Sequence, residues 1–160
     1  GMLATSVKFS WFNLREVIEF YIKINQFTAI AKGVKLEHVA YSGPDVIYSN
    51  ETAIRLILKN LLGNALKFTH AGSVKVSVTD NAIEIADTGI GIPADKHALI
   101  FERFERGERS DQSQYGGSGL GLSIVRDAAE RIGASVSVES ELGKGSIFKV
   151  TFGGVKNDGE

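Results

Sequence analysis

One stretch limits what this chain can fold into more than any other: AIEIADTGIGIP, residues 82–93. AIEIA alternates as a half-buried strand does. It then runs directly into Asp87, followed by Gly89 and Gly91 on either side of an isoleucine. A turn needs one glycine at most, and a core strand needs no aspartate at its end, because burying an unpartnered carboxylate is costly. A plain Asx-type turn is one explanation; a surface that serves something other than the core is the other.

Elsewhere helices and strands are mixed. FNLREVIEFYIKINQFTAIAKG has apolar residues at Val17, Phe20, Tyr21, Ile24, Phe27 and Ala31, near helical spacing, and Gly33 can end that helix. VKLEHVA alternates as a strand and is turned by SGPD into a short strand at VIYS. Ser49 or Asn50 can cap a second helix, with Glu51 in its first turn, running through IRLILKNLLGNALKF to about Thr69. SVKVSVTDNAIEIA reads as two strands around a DN hairpin. A short helix after Pro93 carries HALIFERF, and ERGERSDQSQYGG reads as a loop without buried periodicity. GLGLSIVRDAAERIG is a third helix ending at Gly133, and SVSVES and GSIFKVTF form a closing pair of strands. Without regular βαβ alternation, the pattern predicts an α/β (α+β) two-layer sandwich rather than a Rossmann-type sheet.

With 160 residues the chain is expected to be one domain. Its 43% hydrophobic and 23% charged residues and net charge of −1 give no global pull toward nucleic acid or anionic membrane. The absence of cysteine excludes disulfides and thiolate metal sites and fits a reducing compartment. No apolar run approaches the roughly 20 residues of a membrane span, and no signal peptide is visible. Gly1 and Met2 read as a tag remnant, so the chain is expected to be a piece of something longer.

Two further segments carry chemistry. On the second helix Asn60, Asn64 and Lys67 fall within roughly 60° of arc, away from the apolar stripe of Ile54, Ile57, Leu58, Leu61, Leu62 and Ala65. A solvated face would explain them. However, asparagine is a poor residue inside a helix, because its amide competes for backbone hydrogen bonds. Amide carbonyl oxygens suit a hard cation such as Mg²⁺, and lysine suits a phosphate. GGSGLGLSIV places Gly117, Gly119 and Gly121 at a helix start, where backbone N–H groups and the helix dipole favour an anion. Alone this is weak, because such patterns often serve only as turns. Neither Rossmann spacing nor a P-loop GK[ST] is present.

Together these segments resemble one family, the ATP-binding catalytic domain of sensor histidine kinases in the GHKL superfamily. NLLGNALKFT resembles its N box, DTGIGI its first glycine box, IFERF its F box and GGSGLGLSIV its second glycine box. SELGKGSIFKVTF matches the way such domains close, and order and spacing agree from about Phe12 to Phe152. The resemblance implies a Bergerat-type fold, a mixed β-sheet with about three helices on one face. It implies a domain over residues 3–153, with a lid over about 93–117 and a flexible tail at 154–160. ATP and Mg²⁺ are the implied cofactors.

Residue by residue, the resemblance assigns Asp87 to the adenine amino group, with Gly89 and Gly91 keeping the next turn bare so that the base lies against backbone. Asn64, with Asn60 one turn before, would hold Mg²⁺, and Lys67 would contact phosphate. Phe68 and Ile92 would line the nucleotide pocket. Gly117, Ser118, Gly119, Leu120 and Gly121 would cradle phosphates, and Ser146 would support adenine through water. Phe101 and Phe104 become lid anchors. Arg106 matches a basic position near the terminal phosphate, whereas solvated ion pairs suffice for Arg103 and Arg109. His38, His70 and His97 are expected at the surface or in loops, and Trp11 near the domain edge.

The superfamily's ATPases carry a water-activating glutamate one turn before the metal asparagine. That position is Asn60 here, and an amide has no useful basicity. The resemblance therefore implies a kinase, with Asn60, Lys67 and Arg106 as its catalytic set, passing the γ-phosphoryl group to a histidine on a separate dimerisation and phosphotransfer domain. No HELRTPL-like segment is present to supply that histidine. A response-regulator receiver domain would take the phosphoryl group next. The piece would be monomeric, the longer protein homodimeric and cytoplasmic, or on the cytoplasmic face of a membrane. The alternatives are a degenerate nucleotide-binding scaffold and a GHKL protein serine kinase.

Overall fold

The computed structural model describes residues 7–102 and 119–153, with side chains for all of these except 119–121. The expected tag remnant at 1–2 and tail at 154–160 lie outside the described residues.

The apolar alternation of the strands is that of a sheet with one covered face. In β4 (Gly72–Val78) Val74, Val76 and Val78 are buried, whereas Lys75 between them is exposed. In β7 (Gly145–Phe152) Phe148, Val150 and Phe152 turn inward, and Lys149 turns outward, 3.9 Å from Glu84 of β5 (Ala82–Asp87). With β2 (Val34–Tyr41) and β6 (Ala134–Glu141) these strands form a five-stranded sheet ordered β2-β4-β5-β7-β6. The β2–β4 pair is parallel and the other three pairs are antiparallel, so the sheet is mixed.

Three helices pack onto the sheet. α1 (Leu14–Lys32) lies against β2, α2 (Glu51–Lys67) against β5, and α3 (Gly119–Arg131) against β6, with α2 touching both of its neighbours. α2 is the centre of the core. Its Ile54, Ile57, Leu58, Leu61 and Leu62 are at most 1% exposed, and full burial of each such side chain stabilises by about 1.5–3 kcal/mol. Asn50 caps this helix by accepting from the Ala53 N–H at 2.8 Å, and Gly33 closes α1 by donating to Ala29 and Ile30 carbonyls. No helix among the described residues is long and apolar enough to cross a membrane.

The predicted elements are present, with five differences. Residues 10–13 form a strand, β1 (Ser10–Asn13), where the sequence suggested the start of a helix; Asn13 ends it and caps α1 by accepting from Glu16 N–H at 2.8 Å. β3 (Val46–Ser49) pairs with β1 rather than turning back on β2. The link between them is held away from β2, because Ser42 N–H donates to Val78 and the Asp45 carbonyl accepts from Leu14 N–H at 2.6 Å. The expected helix after Pro93 is two short 3₁₀ turns, Ala94–Lys96 and Leu99–Phe101, closed by bonds three residues apart such as Lys96 N–H to Pro93.

The fourth difference is the face that α1 buries. Leu14, Val17, Ile18, Ile22 and Ala29 face the core, whereas Phe20, Ile24 and Phe27 of the predicted stripe are 47%, 45% and 79% exposed. Phe20 is instead flanked by the Arg55 guanidinium, 5.5 Å from its ring centre, and by Tyr21 edge-on at 5.1 Å. The fifth concerns His38. It lies in strand β2, half-buried, with its ring edge-on to Tyr41 at 5.7 Å. His70 is exposed in the turn after α2, His97 bonds back to the Ile92 carbonyl at 2.9 Å, and Trp11 is half exposed beside Tyr48.

Truncating Ile57 to alanine leaves a void that neither α1 nor α3 can fill by moving alone. Urea unfolding of Ile57→Ala should show a loss of about 2–5 kcal/mol at an unchanged m-value.

Candidate functional site

α2, α3, the end of β5 and the β6–β7 hairpin enclose a cleft of about 430 Å³, its open mouth included. α2 supplies Asn64, Ala65 and Phe68, the last being the half-buried residue that caps its C-terminus. The turn after β5 supplies Ile90, Gly91 and Ile92, and β7 supplies Ser146 and Phe148. Ile100 and Leu122 close the apolar wall. A mostly apolar cleft with a few polar groups at one end suits a heteroaromatic ring.

The polar end is Asp87. Only 9% exposed, its carboxyl is pushed above the ordinary aspartate range by burial, against which the N–H groups of Gly89 and Ser146 stabilise the charge. Both N–H groups donate to one oxygen, Oδ1, at 2.9 and 3.3 Å. Among the described residues Oδ2 has no hydrogen-bond partner, so the buried carboxylate keeps one acceptor that they do not use.

The glycines of this turn serve packing within the protein. A Cβ on Gly89 would stand 2.3 Å from the Phe68 carbonyl oxygen, and one on Gly91 2.0 Å from that of Glu141. Gly91 also has φ +74°, which suits glycine. The turn is wedged between the end of α2 and the β6–β7 hairpin, and of the two glycines Gly91 lines the cleft.

Of the polar stripe on α2, Asn64 lines the cleft. Asn60 lies one turn earlier with its Nδ2 donated to the Leu56 carbonyl at 2.8 Å, which leaves its Oδ1 for other partners. Lys67 is exposed at the helix end, its Nζ 5.6 Å from the Phe68 ring centre. No cluster of three or more His, Asp or Glu among the described residues could hold a metal. The donors present are neutral amide oxygens, which fit a Mg²⁺ ion only if a ligand's own oxygens complete its shell.

Gly119, Leu120 and Gly121 form the first turn of α3. Gly117, Ser118, Arg103, Phe104, Arg106 and Arg109 lie outside the described residues. Phe101, partly buried, meets Phe148 at 6.2 Å between ring centres.

Sequence reasoning missed Ser140. Its Oγ accepts from Ile92 N–H at 2.7 Å, donates to the Gly145 carbonyl at 2.9 Å, and lies 2.7 Å from Ser146 Oγ. The signal was the hairpin SELGKGS, in which Ser140 and Ser146 stand directly opposite each other. A second clamp joins the same parts, Gly143 N–H to the Ile90 carbonyl at 2.7 Å.

The family model for histidine kinase-, DNA gyrase B- and HSP90-like ATPases matches residues 49–154. Sensor histidine kinase AruS of Pseudomonas aeruginosa is 38% identical over 149 residues, covering 86% of this chain and 15% of its own length. The chain thus spans a small part of that curated relative. Among solved structures, full-length ShkA in complex with AMPPNP superposes with a TM-score of 0.79 at 30% identity, over 92% of this chain and 31% of ShkA. The catalytic domain of histidine kinase ThkA, in a nucleotide-free form, shares the fold with a TM-score of 0.77 at 24% identity, over 91% of this chain and 95% of its own. With the match running from the end of β3 through β7 and taking in both walls of the cleft, the chain belongs to the histidine kinase-, DNA gyrase B- and HSP90-like ATPase family, as a domain of the sensor-histidine-kinase kind.

Proposed function

We propose that the cleft binds Mg-ATP and presents its γ-phosphoryl group to a histidine on a separate dimerisation and phosphotransfer domain, for onward relay to a response-regulator receiver domain. The observation that carries this reading is the buried carboxylate of Asp87, which borders an apolar slot and has one oxygen without a partner among the described residues. An acceptor-only group in that position suits the exocyclic amine of adenine, with Phe68, Ile90 and Ile92 against the faces of the ring and Ser146 beside Asp87. Asn64 and Asn60 would hold Mg²⁺ together with phosphate oxygens, and the ion would there neutralise phosphate charge. Lys67, Arg106 and the segment Gly117, Ser118, Gly119, Leu120 and Gly121 would contact the phosphates.

Asn60 gives this reading its direction toward transfer. An amide cannot deprotonate water, so the nucleotide is held for an imported nucleophile. An imidazole nitrogen would form the new N–P bond as the bond from phosphorus to the ADP oxygen breaks, and the imidazole proton would pass to solvent. The chain's contribution would be positioning and charge neutralisation. Mixing the chain with a histidine-bearing acceptor domain and γ-labelled ATP tests this: the label should reach the acceptor and be lost in acid. Acid-stable label would favour a serine kinase, and nucleotide binding without transfer a scaffold.

Asp87→Asn should abolish saturable ADP binding in calorimetry while leaving the fold intact, because an asparagine Oδ1 can still accept from Gly89 and Ser146. Its stability relative to wild type has a defined pH dependence. The carboxyl titrates above its unfolded value, so its contribution is fully present below the ordinary aspartate range and is lost as pH rises through the raised pKa. In paired urea melts the variant should gain on wild type toward pH 7 and lose that gain on acidification. Asn64→Ala should weaken ADP binding more with Mg²⁺ than without it; equal losses would remove the metal role.

A further inference from the structure

The hydrogen bonds around Ser140 determine more than the position of a turn. A serine hydroxyl has one hydrogen and two acceptor sites. Ser140 Oγ meets three groups at hydrogen-bond distance: the Ile92 N–H, the Gly145 carbonyl and Ser146 Oγ. The N–H can only donate and the carbonyl can only accept. If the single hydrogen of Ser140 goes to Gly145, Ser146 donates to Ser140 and all three bonds form. If it goes to Ser146 instead, the Gly145 contact is lost as a bond. The first arrangement satisfies both acceptor sites and the donor of this half-buried hydroxyl and forms one bond more than the second.

We propose that Ser140 is a positioning residue for base selection: by taking the only hydrogen of Ser146, it leaves Ser146 Oγ as an acceptor toward the cleft. Ser146 and Asp87 are adjacent, the backbone N–H of the one donating to the carboxylate of the other at 3.3 Å, and both line the cleft. Asp87 and Ser146 then present two acceptors side by side at the polar end of the slot. Such a pair takes a 6-amino purine, whose amine donates twice. It refuses a 6-oxo purine, whose oxygen would face two acceptors. This inference rests on reading the cleft as an adenine-nucleotide site.

The measurement is calorimetric titration of the chain with ADP and with inosine diphosphate, which replaces the 6-amine by an oxygen. Wild type should prefer ADP strongly. In Ser140→Ala the Ser146 hydroxyl is free to turn its hydrogen into the cleft, and the ratio of the two dissociation constants should fall by about three- to tenfold, the effect of one neutral hydrogen bond. Ser140→Thr, which keeps the hydroxyl, should restore the ratio. In a Ser146→Ala background, Ser140→Ala should leave the ratio unchanged, because no hydroxyl remains to be oriented. Ser140→Cys, close in volume but a poor hydrogen-bonding group, carries the same test if the alanine variant does not fold. Equal weakening of both ligands would overturn the role of Ser140 and leave it a support for the Ile90–Ile92 turn, with the nucleotide site intact. Failure of the wild-type chain to bind ADP would overturn the nucleotide reading itself and this inference with it.

Discussion

A sheet with one apolar face has to be covered, and here the cover is three helices over five strands. α2 lies in the middle of that cover, its apolar stripe pressed onto the sheet and its other side facing α3. The cleft is where the cover stops. Beyond the C-terminal end of α2 the sheet still offers Phe148 and the end of β5, which border the cleft together with Ile100 and Leu122. The apolar surface there is flanked by walls without being filled. The same requirement that builds the core thus leaves a slot lined by core-type residues, and the fold dictates which strand end floors it.

That strand end is where burial and charge conflict. Two backbone N–H groups on one carboxylate oxygen are enough to keep Asp87 in place, yet they leave its charge only partly compensated. The conflict is tolerable because the turn beyond it is rigid. Gly89 is pressed against the end of α2, Gly91 against the β6–β7 hairpin, and the carbonyl of Ile90 and N–H of Ile92 are both taken by that hairpin. Stability at this point comes from backbone contacts that exclude a Cβ, and the side-chain chemistry is left for the cleft.

Much of this was legible because it is local. Three helices, the caps at Gly33 and Asn50, and the strand running into Asp87 all follow from patterns within about fifteen residues. What escaped depends on partners distant in sequence. β1 is four residues long and gains its identity only from pairing with β3, and the turn chemistry at SGPD does not tell which strand β3 pairs with. α1 carries two overlapping apolar stripes, and nothing within the helix tells which one the sheet will take. Asp87, Asn64 and Ser146 stand out in the sequence through their motifs, and all three line the cleft. Ser140 does not stand out, because its importance comes from three bonds to residues on two separate turns.

β5 and β7 are neighbours in the sheet, yet residues 88–144 run between them. One end of that excursion carries the turn of the cleft, and the middle carries α3. The entropy of closing such a loop grows only with the logarithm of its length, about 0.6 kcal/mol for each doubling. Closure entropy therefore sets little preference for one length of this excursion over another, although Ile100 and Phe101 within it are fixed by packing beside the cleft. By contrast, the three-residue link between β6 and β7 is fixed by a register that places Ser140 opposite Ser146. Chain entropy hardly constrains the long connection, whereas strand pairing pins the hairpin beside Asp87, so two walls of one cleft are held by different physics.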